Sequence, residues 1–147
     1  MQGDRLDASL GNALVRLFRF QNRVHNRVLR GTGVSAEQAH VLSILWERGA
    51  ITIGALQKQL ALSSATLTGA IDRLEADGLV RRVPSPDDRR AFVLEPRVPP
   101  KLRGQIEAAV QAGEDRCFRA LGKRDRAELL RMLAACAADL ETDAAAR

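Results

Sequence analysis

Two short stretches of this 147-residue chain carry side chains whose types and spacing suit contact with a nucleic-acid duplex. The first runs Ser63-Ser64-Ala65-Thr66-Leu67-Thr68 and continues to Arg73. Ser63, Ser64, Thr66 and Thr68 offer hydroxyls that donate or accept at base edges and phosphates. Ala65 and the threonine methyls can meet thymine methyl groups, and Arg73 can reach the backbone. The second stretch is Pro86-Asp87-Asp88-Arg89-Arg90, preceded closely by Arg81 and Arg82. Arginines on a loop are drawn to the negative potential of a narrow minor groove. No Gly-rich phosphate loop, nucleophile elbow or carboxylate pair of defined geometry accompanies them, so a small α-helical enzyme would lack its catalytic set.

The elements that must position these residues can be read around them. Ser63 is a good helix N-cap. Leu67, Ala70, Ile71 and Leu74 then recur at spacings of three and four, which makes one apolar stripe. At about 100° per residue, Ala65, Thr68, Gly69, Asp72 and Arg73 fall on the opposite face. Asp72 would repel phosphate and is expected deeper in the groove or out in solvent. A preceding helix starts after Thr52 as N-cap and buries Ile53, Leu56 and Leu60, with Ala61 and Leu62 forming the turn. Gly78 supplies a left-handed C-cap. Residues 79–83 and 91–94 read as paired strands, and 84–90 as their hairpin loop. Helix, turn, helix and two-stranded wing together place one helix in the major groove while a loop reaches the backbone or minor groove.

Leu-Glu-Ala-Asp-Gly-Leu-Val-Arg-Arg at 74–82, followed by Pro-Asp-Asp-Arg-Arg at 86–90, resembles the winged helix of the MarR family of bacterial transcription regulators. The resemblance implies that Asp88 holds Arg90 while its guanidinium enters the minor groove, with Arg89 adding a phosphate contact. It also implies a homodimer on double-stranded DNA, a repressor of a pseudo-palindromic operator, with release by a small aromatic effector, as in some family members, and constitutive binding both left open. One departure is visible. The family commonly follows the second wing strand with Leu-Thr and a glycine, whereas this chain has Leu94-Glu95-Pro96-Arg97 and then Pro99-Pro100.

Long helices are expected on both sides. Residues 4–29 keep Leu6, Leu10, Ala13, Leu14, Leu17, Phe18, Val24 and Val28 on one side, with Arg16, Arg19, Arg23, Arg27 and Arg30 on the other. Ser35 and Gln38 form a capping-box pattern for a helix that buries Ala39, Val41, Leu42, Leu45 and Trp46. Pro99 and Pro100 suit the first turn of a helix striped by Leu102, Ile106, Ala109, Val110, Gly113, Cys117 and Leu121. A last helix carries Leu129, Leu133, Cys136, Ala137 and Leu140 on one side. The expected fold is mainly α with a small β-wing: a winged helix-turn-helix at about 35–95, flanked by dimerisation helices at about 4–30 and 99–143 in a single domain spanning 1–147. The terminal stripes exceed what so small a domain can cover alone, and a second copy is the natural partner.

The net charge of +5 is almost wholly arginine, since lysine occurs only at Lys58, Lys101 and Lys123. Arginine favours bidentate phosphate or guanine contacts over diffuse attraction. No run approaches membrane-spanning length and no signal-peptide core is visible, so a cytoplasmic protein is expected. Cys117 and Cys136 sit on apolar stripes and read as buried small hydrophobes, an oxidant-sensing regulator using either being the alternative. His25 and His40 lie in different helices without metal-ligand spacing, so no metal or cofactor is expected. Trp46 reads as core or as the wall of a ligand cleft. The rival of a different class is a winged helix used for protein–protein contacts.

Overall fold

The Ser9 hydroxyl accepts a hydrogen bond from the Asn12 amide and opens α1, Leu10–Leu29. This computed structural model describes residues 9–60, 62–88 and 90–145, so the expected helix start near Asp4 lies outside the described residues. A single 3-10 turn, Arg30–Thr32, ends at Gly33, whose φ of 76° belongs to the left-handed region that glycine tolerates best. The chain then enters α2, Ala36–Arg48, through the capping box read from the sequence: Ser35 Oγ accepts from the Gln38 amide while Gln38 Oε1 accepts from the Ser35 amide. Asn26 of α1 accepts from the Ala36 amide and so pins the elbow between the two helices.

After α2 come β1 (Ile51–Thr52), α3 (Ile53–Leu60), α4 (Ser64–Ala76), β2 (Val80–Pro84) and β3 (Phe92–Pro96). The last two helices are α5, Pro100–Cys117, with Pro100 in its first turn, and α6, Lys123–Ala145. The sheet is antiparallel in the order β1-β3-β2, with Val83 opposite Val93 and Ile51 opposite Leu94. Two differences from the sequence reading appear here. The wing strands run one or two residues further along than expected, and a third strand is present. Two residues are too short for an alternation to register, and β1 forms because β3 offers it a free edge.

One core joins α2, α3, α4, the sheet and the inner face of α5. Leu29, Val41, Leu42, Leu45, Leu56, Leu67, Ile71, Leu74, Leu94 and Ile106 are almost completely excluded from solvent. Each such side chain contributes about 1.5–3 kcal/mol of burial, so the position of α4 is set by Leu67, Ile71 and Leu74. The ends differ. Leu10, Leu14, Val15, Phe18 and Phe20 of α1, with Leu130, Met132, Leu133 and Leu140 of α6, are exposed in the single chain. Cys117 is half-buried and Cys136 exposed, which corrects the expectation that both are core residues. A helical stripe shows which residues share a face, but not whether anything in the same chain covers it.

Candidate nucleic-acid interface

The exposed face of α4 is built from its first turn. Ser63 Oγ accepts from the Thr66 amide at 3.2 Å and lies 2.8 Å from Thr66 Oγ1, so the cap also fixes the threonine rotamer. Gln57 of α3 donates its side-chain amide to Ser64 Oγ at 2.7 Å, tying the two helices of the helix-turn-helix across their turn. Nothing in the periodicity singles out Gln57; its role depends on how the helices cross. Ser63, Ser64, Ala65, Thr66, Thr68, Gly69, Asp72 and Arg73 are all exposed while Leu67, Ala70, Ile71 and Leu74 are buried, as the stripe predicts. Ala65, Thr66, Gly69, Ala70 and Arg73 face Ser35, Glu37 and Gln38 of α2 across a concavity of about 260 Å³.

The helix stops in a Schellman motif: the Leu79 amide donates to Leu74 O at 2.8 Å and the Gly78 amide to Glu75 O at 3.0 Å, with Gly78 at φ 70°. That stop turns the chain directly into the wing. Asp72 is exposed, in keeping with the solvent-facing alternative, and it is also paired. Its carboxylate accepts from Arg82 Nη2 at 2.6 Å, while Arg82 Nη1 pairs with Glu75 and the Arg82 amide donates to Glu75 Oε1 at 3.2 Å. Arg82 is therefore committed to α4 and is not a free cation of the wing. The hydrogen bond to Asp72, with Glu75 adding to it, raises its pKa further above the ordinary guanidinium value, so the charge on this clamp is permanent. Arg81 is likewise engaged, at 3.4 Å from Glu95 on the facing strand.

The wing loop holds itself together. Ser85 Oγ accepts from the amides of Asp87 and Asp88 at 3.3 and 3.4 Å, and the Ala91 amide closes onto Asp88 O at 3.0 Å. Asp88 Oδ1 accepts from the Arg90 backbone amide at 2.9 Å. The aspartate thus acts on the backbone of Arg90, not on its guanidinium, which is exposed and makes no ion pair among the described residues. Arg89 lies outside the described residues. The structure ties the outward face of α4 to strand β2 of the wing through a clamp that no local pattern in the sequence reveals.

The model described as the MarR family matches residues 34–92. The HTH-type transcriptional regulator FarR of Neisseria gonorrhoeae is 31% identical over 115 residues, which is 78% of each chain. This chain belongs to the MarR family. YcgE of Bacillus subtilis, an HTH-type transcriptional regulator, is 36% identical over 72 residues, and there the chain spans only about half the relative's length, 47%. A mutant MarR from E. coli complexed with operator DNA superposes with a TM-score of 0.75 at 26% identity, covering 86% of this chain and 92% of that one. MarR-family proteins are transcription regulators rather than enzymes. No helix among the described residues is long and apolar enough to cross a membrane, and none of their His, Cys, Asp and Glu groups could hold a metal ion.

Two histidines that the sequence kept apart meet in the MarR fold. His25 of α1 is buried and His40 of α2 half-buried, with ring centroids 6.3 Å apart. His25 Nδ1 lies 3.0 Å from Gln21 O and so carries the proton that it donates there. Its ring packs where Gly113 of α5 leaves no side chain: a Cβ at 113 would lie 2.7 Å from His25 Cδ2. Burial, with the facing His25, pushes the His40 pKa down, while Glu37 and Glu114 pull the other way.

Proposed function

We propose that this chain is a sequence-specific DNA-binding regulator, a cytoplasmic homodimeric repressor of a pseudo-palindromic operator. The observation that carries this reading is the Arg82 clamp. It ties α4, with its small, hydroxyl-rich face, to strand β2 of the wing, whose loop carries Arg90, so that one unit presents groups suited to the major and the minor groove. Ser63, Ser64, Ala65, Thr66 and Thr68 would meet bases or flanking phosphates. Arg73 would take the backbone, and Arg90 the minor groove, with Arg89 beside it on phosphate. The E. coli MarR variant complexed with operator DNA supports the assignment, since its fold is shared.

The division of labour follows. Residues 35–95 would read DNA and the terminal helices would dimerise. The exposed Leu10, Leu14 and Phe18 of α1 with Leu130, Leu133 and Leu140 of α6 are the apolar surface that a second copy would cover. A small aromatic effector would act by changing the angle between those helices and the winged helix. Trp46 does not offer it an open wall, because the Arg103 guanidinium lies over the ring at 4.9 Å. The oxidant-sensing alternative is weakened at Cys117, whose thiol burial pushes up in pKa, with Glu114 adding to the effect.

Selecting bound fragments from the host genome and titrating the best against salt tests this reading. Log affinity should fall by about 0.9 per phosphate neutralised against log salt. A slope near zero would favour the protein–protein module. Sedimentation should show a dimer at micromolar concentration, and a stable monomer there would remove the two-half-site geometry, in which recognition helices sit about 34–36 Å apart.

A further inference from the structure

Several arginines of the wing and the C-terminal part of the chain are engaged by carboxylates: Arg82 by Asp72 and Glu75, Arg97 by Glu95, Arg103 by Glu107, Arg126 by Asp115, Arg131 by Glu128. The arginines of α1 are arranged otherwise. Arg19, Arg23 and Arg27 of α1, with Arg30 at its C-cap, follow at spacings of three and four, which confines them to an arc of roughly 80° on the helix. Arg19, Arg23, Arg27 and Arg30 are exposed and make no ion pair among the described residues, and Arg23 lies 5.8 Å from the Phe20 ring. A row of like charges with no ion-paired carboxylate repels itself and costs stability. Such a row is retained most economically where a polyanion neutralises it.

Position identifies which polyanion. Asn22, Arg23, Asn26, Arg27 and Arg30 line a concavity of about 460 Å³ that is closed on one side by Glu37 of α2. Glu37 also lines the concavity in front of Thr66, Gly69 and Arg73 on the recognition helix. The basic stripe and the recognition face are therefore neighbours sharing one wall, and Asn26 holds α1 to the start of α2, the helix that carries Glu37. Asparagine amides and guanidiniums are the donor set for phosphate oxygens. Glu37 in the wall repels phosphate from the junction itself and favours contact further out along α1.

We infer that Arg23, Arg27 and Arg30, with Asn22 and Asn26, form a second duplex-binding surface that holds the phosphate backbone outside the stretch read by the recognition helix and wing. This rests on the DNA-binding reading and deepens it: each subunit would grip flanking DNA without reading its sequence.

The test crosses protein charge with duplex length. One probe is a roughly 20-base-pair duplex carrying the selected operator, enough for two half-sites one turn apart. The other is the same duplex extended by about one turn of unrelated sequence at each end. The parent should bind the longer duplex at least roughly tenfold more tightly at moderate salt, with a steeper salt slope. Arg27→Gln/Arg30→Gln should bind the short duplex as the parent does and gain little from the extension, whereas Arg27→Lys/Arg30→Lys should keep most of the gain. A glutamine variant that retains the full gain, or that weakens equally on both duplexes, overturns the inference, as does a parent indifferent to length. A parent that binds neither duplex sinks the DNA-binding reading itself.

Discussion

Arg82 Nη2 lies 2.6 Å from Asp72 Oδ1, joining the first wing strand to the outward face of the recognition helix. Glu75 takes the other guanidinium nitrogen and the Arg82 amide as well, so wing and helix cannot tilt independently without breaking several bonds. The pairs are partly exposed and each contributes only about 0–1 kcal/mol to folding. Their larger effect should fall on DNA. Arg82→Ala is expected to cost roughly 1 kcal/mol of stability and to weaken operator binding at least roughly tenfold, about 1.4 kcal/mol.

Asp72→Ala separates positioning from charge, because it removes the oxygen that accepts from Arg82 together with the carboxylate. Simple electrostatics predicts tighter binding once a carboxylate leaves the DNA-facing side, whereas loss of the clamp predicts weaker binding. Fluorescence anisotropy at matched salt decides, and tighter binding would retire the clamp.

The wing tip needs a different pair of substitutions. Arg90→Ala should weaken operator binding at least roughly tenfold with little change in melting temperature, because the side chain is exposed and unpaired among the described residues. Asp88 holds the Arg90 amide through one carboxylate oxygen, and an asparagine oxygen can do the same. Asp88→Asn should therefore bind at least as well as the parent, and Asp88→Ala worse. Equal loss in both variants would mean that the carboxylate charge, not the backbone bond, is what matters.

Gly113 is held to its size by His25. A methyl at 113 would meet the imidazole at 2.7 and 2.9 Å, and overpacking of that kind costs about 1–3 kcal/mol. Alanine's better helix propensity returns up to about 1 kcal/mol, so Gly113→Ala should be net destabilising in denaturant titration. Pairing it with His25→Ala should cost less than the sum of the two. Strict additivity would show that the contact is not the cause.

His40 should make stability pH-dependent. Its folded pKa is depressed below the ordinary 6.5 by burial and by His25, against the pull of Glu37 and Glu114. The unfolded chain thus binds a proton more readily. The stability this residue supports is fully present above about pH 6.5 and is lost as pH falls from there towards the folded value. His40→Gln should flatten that part of the profile. Thermal melts from pH 7.5 to 5.5 with the same slope in parent and variant would contradict it.

Much of the recognition helix is legible in the chain because its determinants are local. The Ser63 cap, the Leu67, Ala70, Ile71 and Leu74 stripe and the Gly78 stop each act within a turn or so, and so does the Ser35 and Gln38 capping box. Propensity, capping and periodicity are properties of neighbouring residues, and the wing's position follows from turn chemistry in the same way. What tertiary structure decides involves partners distant in the chain. In the sequence Arg82 is one more arginine beside the wing loop, and it becomes a clamp only when β2 folds back against α4. His25 meets both Gly113 and His40 only when α1, α2 and α5 pack together, and β1 exists only once β3 provides an edge. Side-chain type states which bonds a residue can make. Which of them it makes depends on what packing brings within about 3 Å, and there the desolvation of each charge and the shape of each contact select the partner.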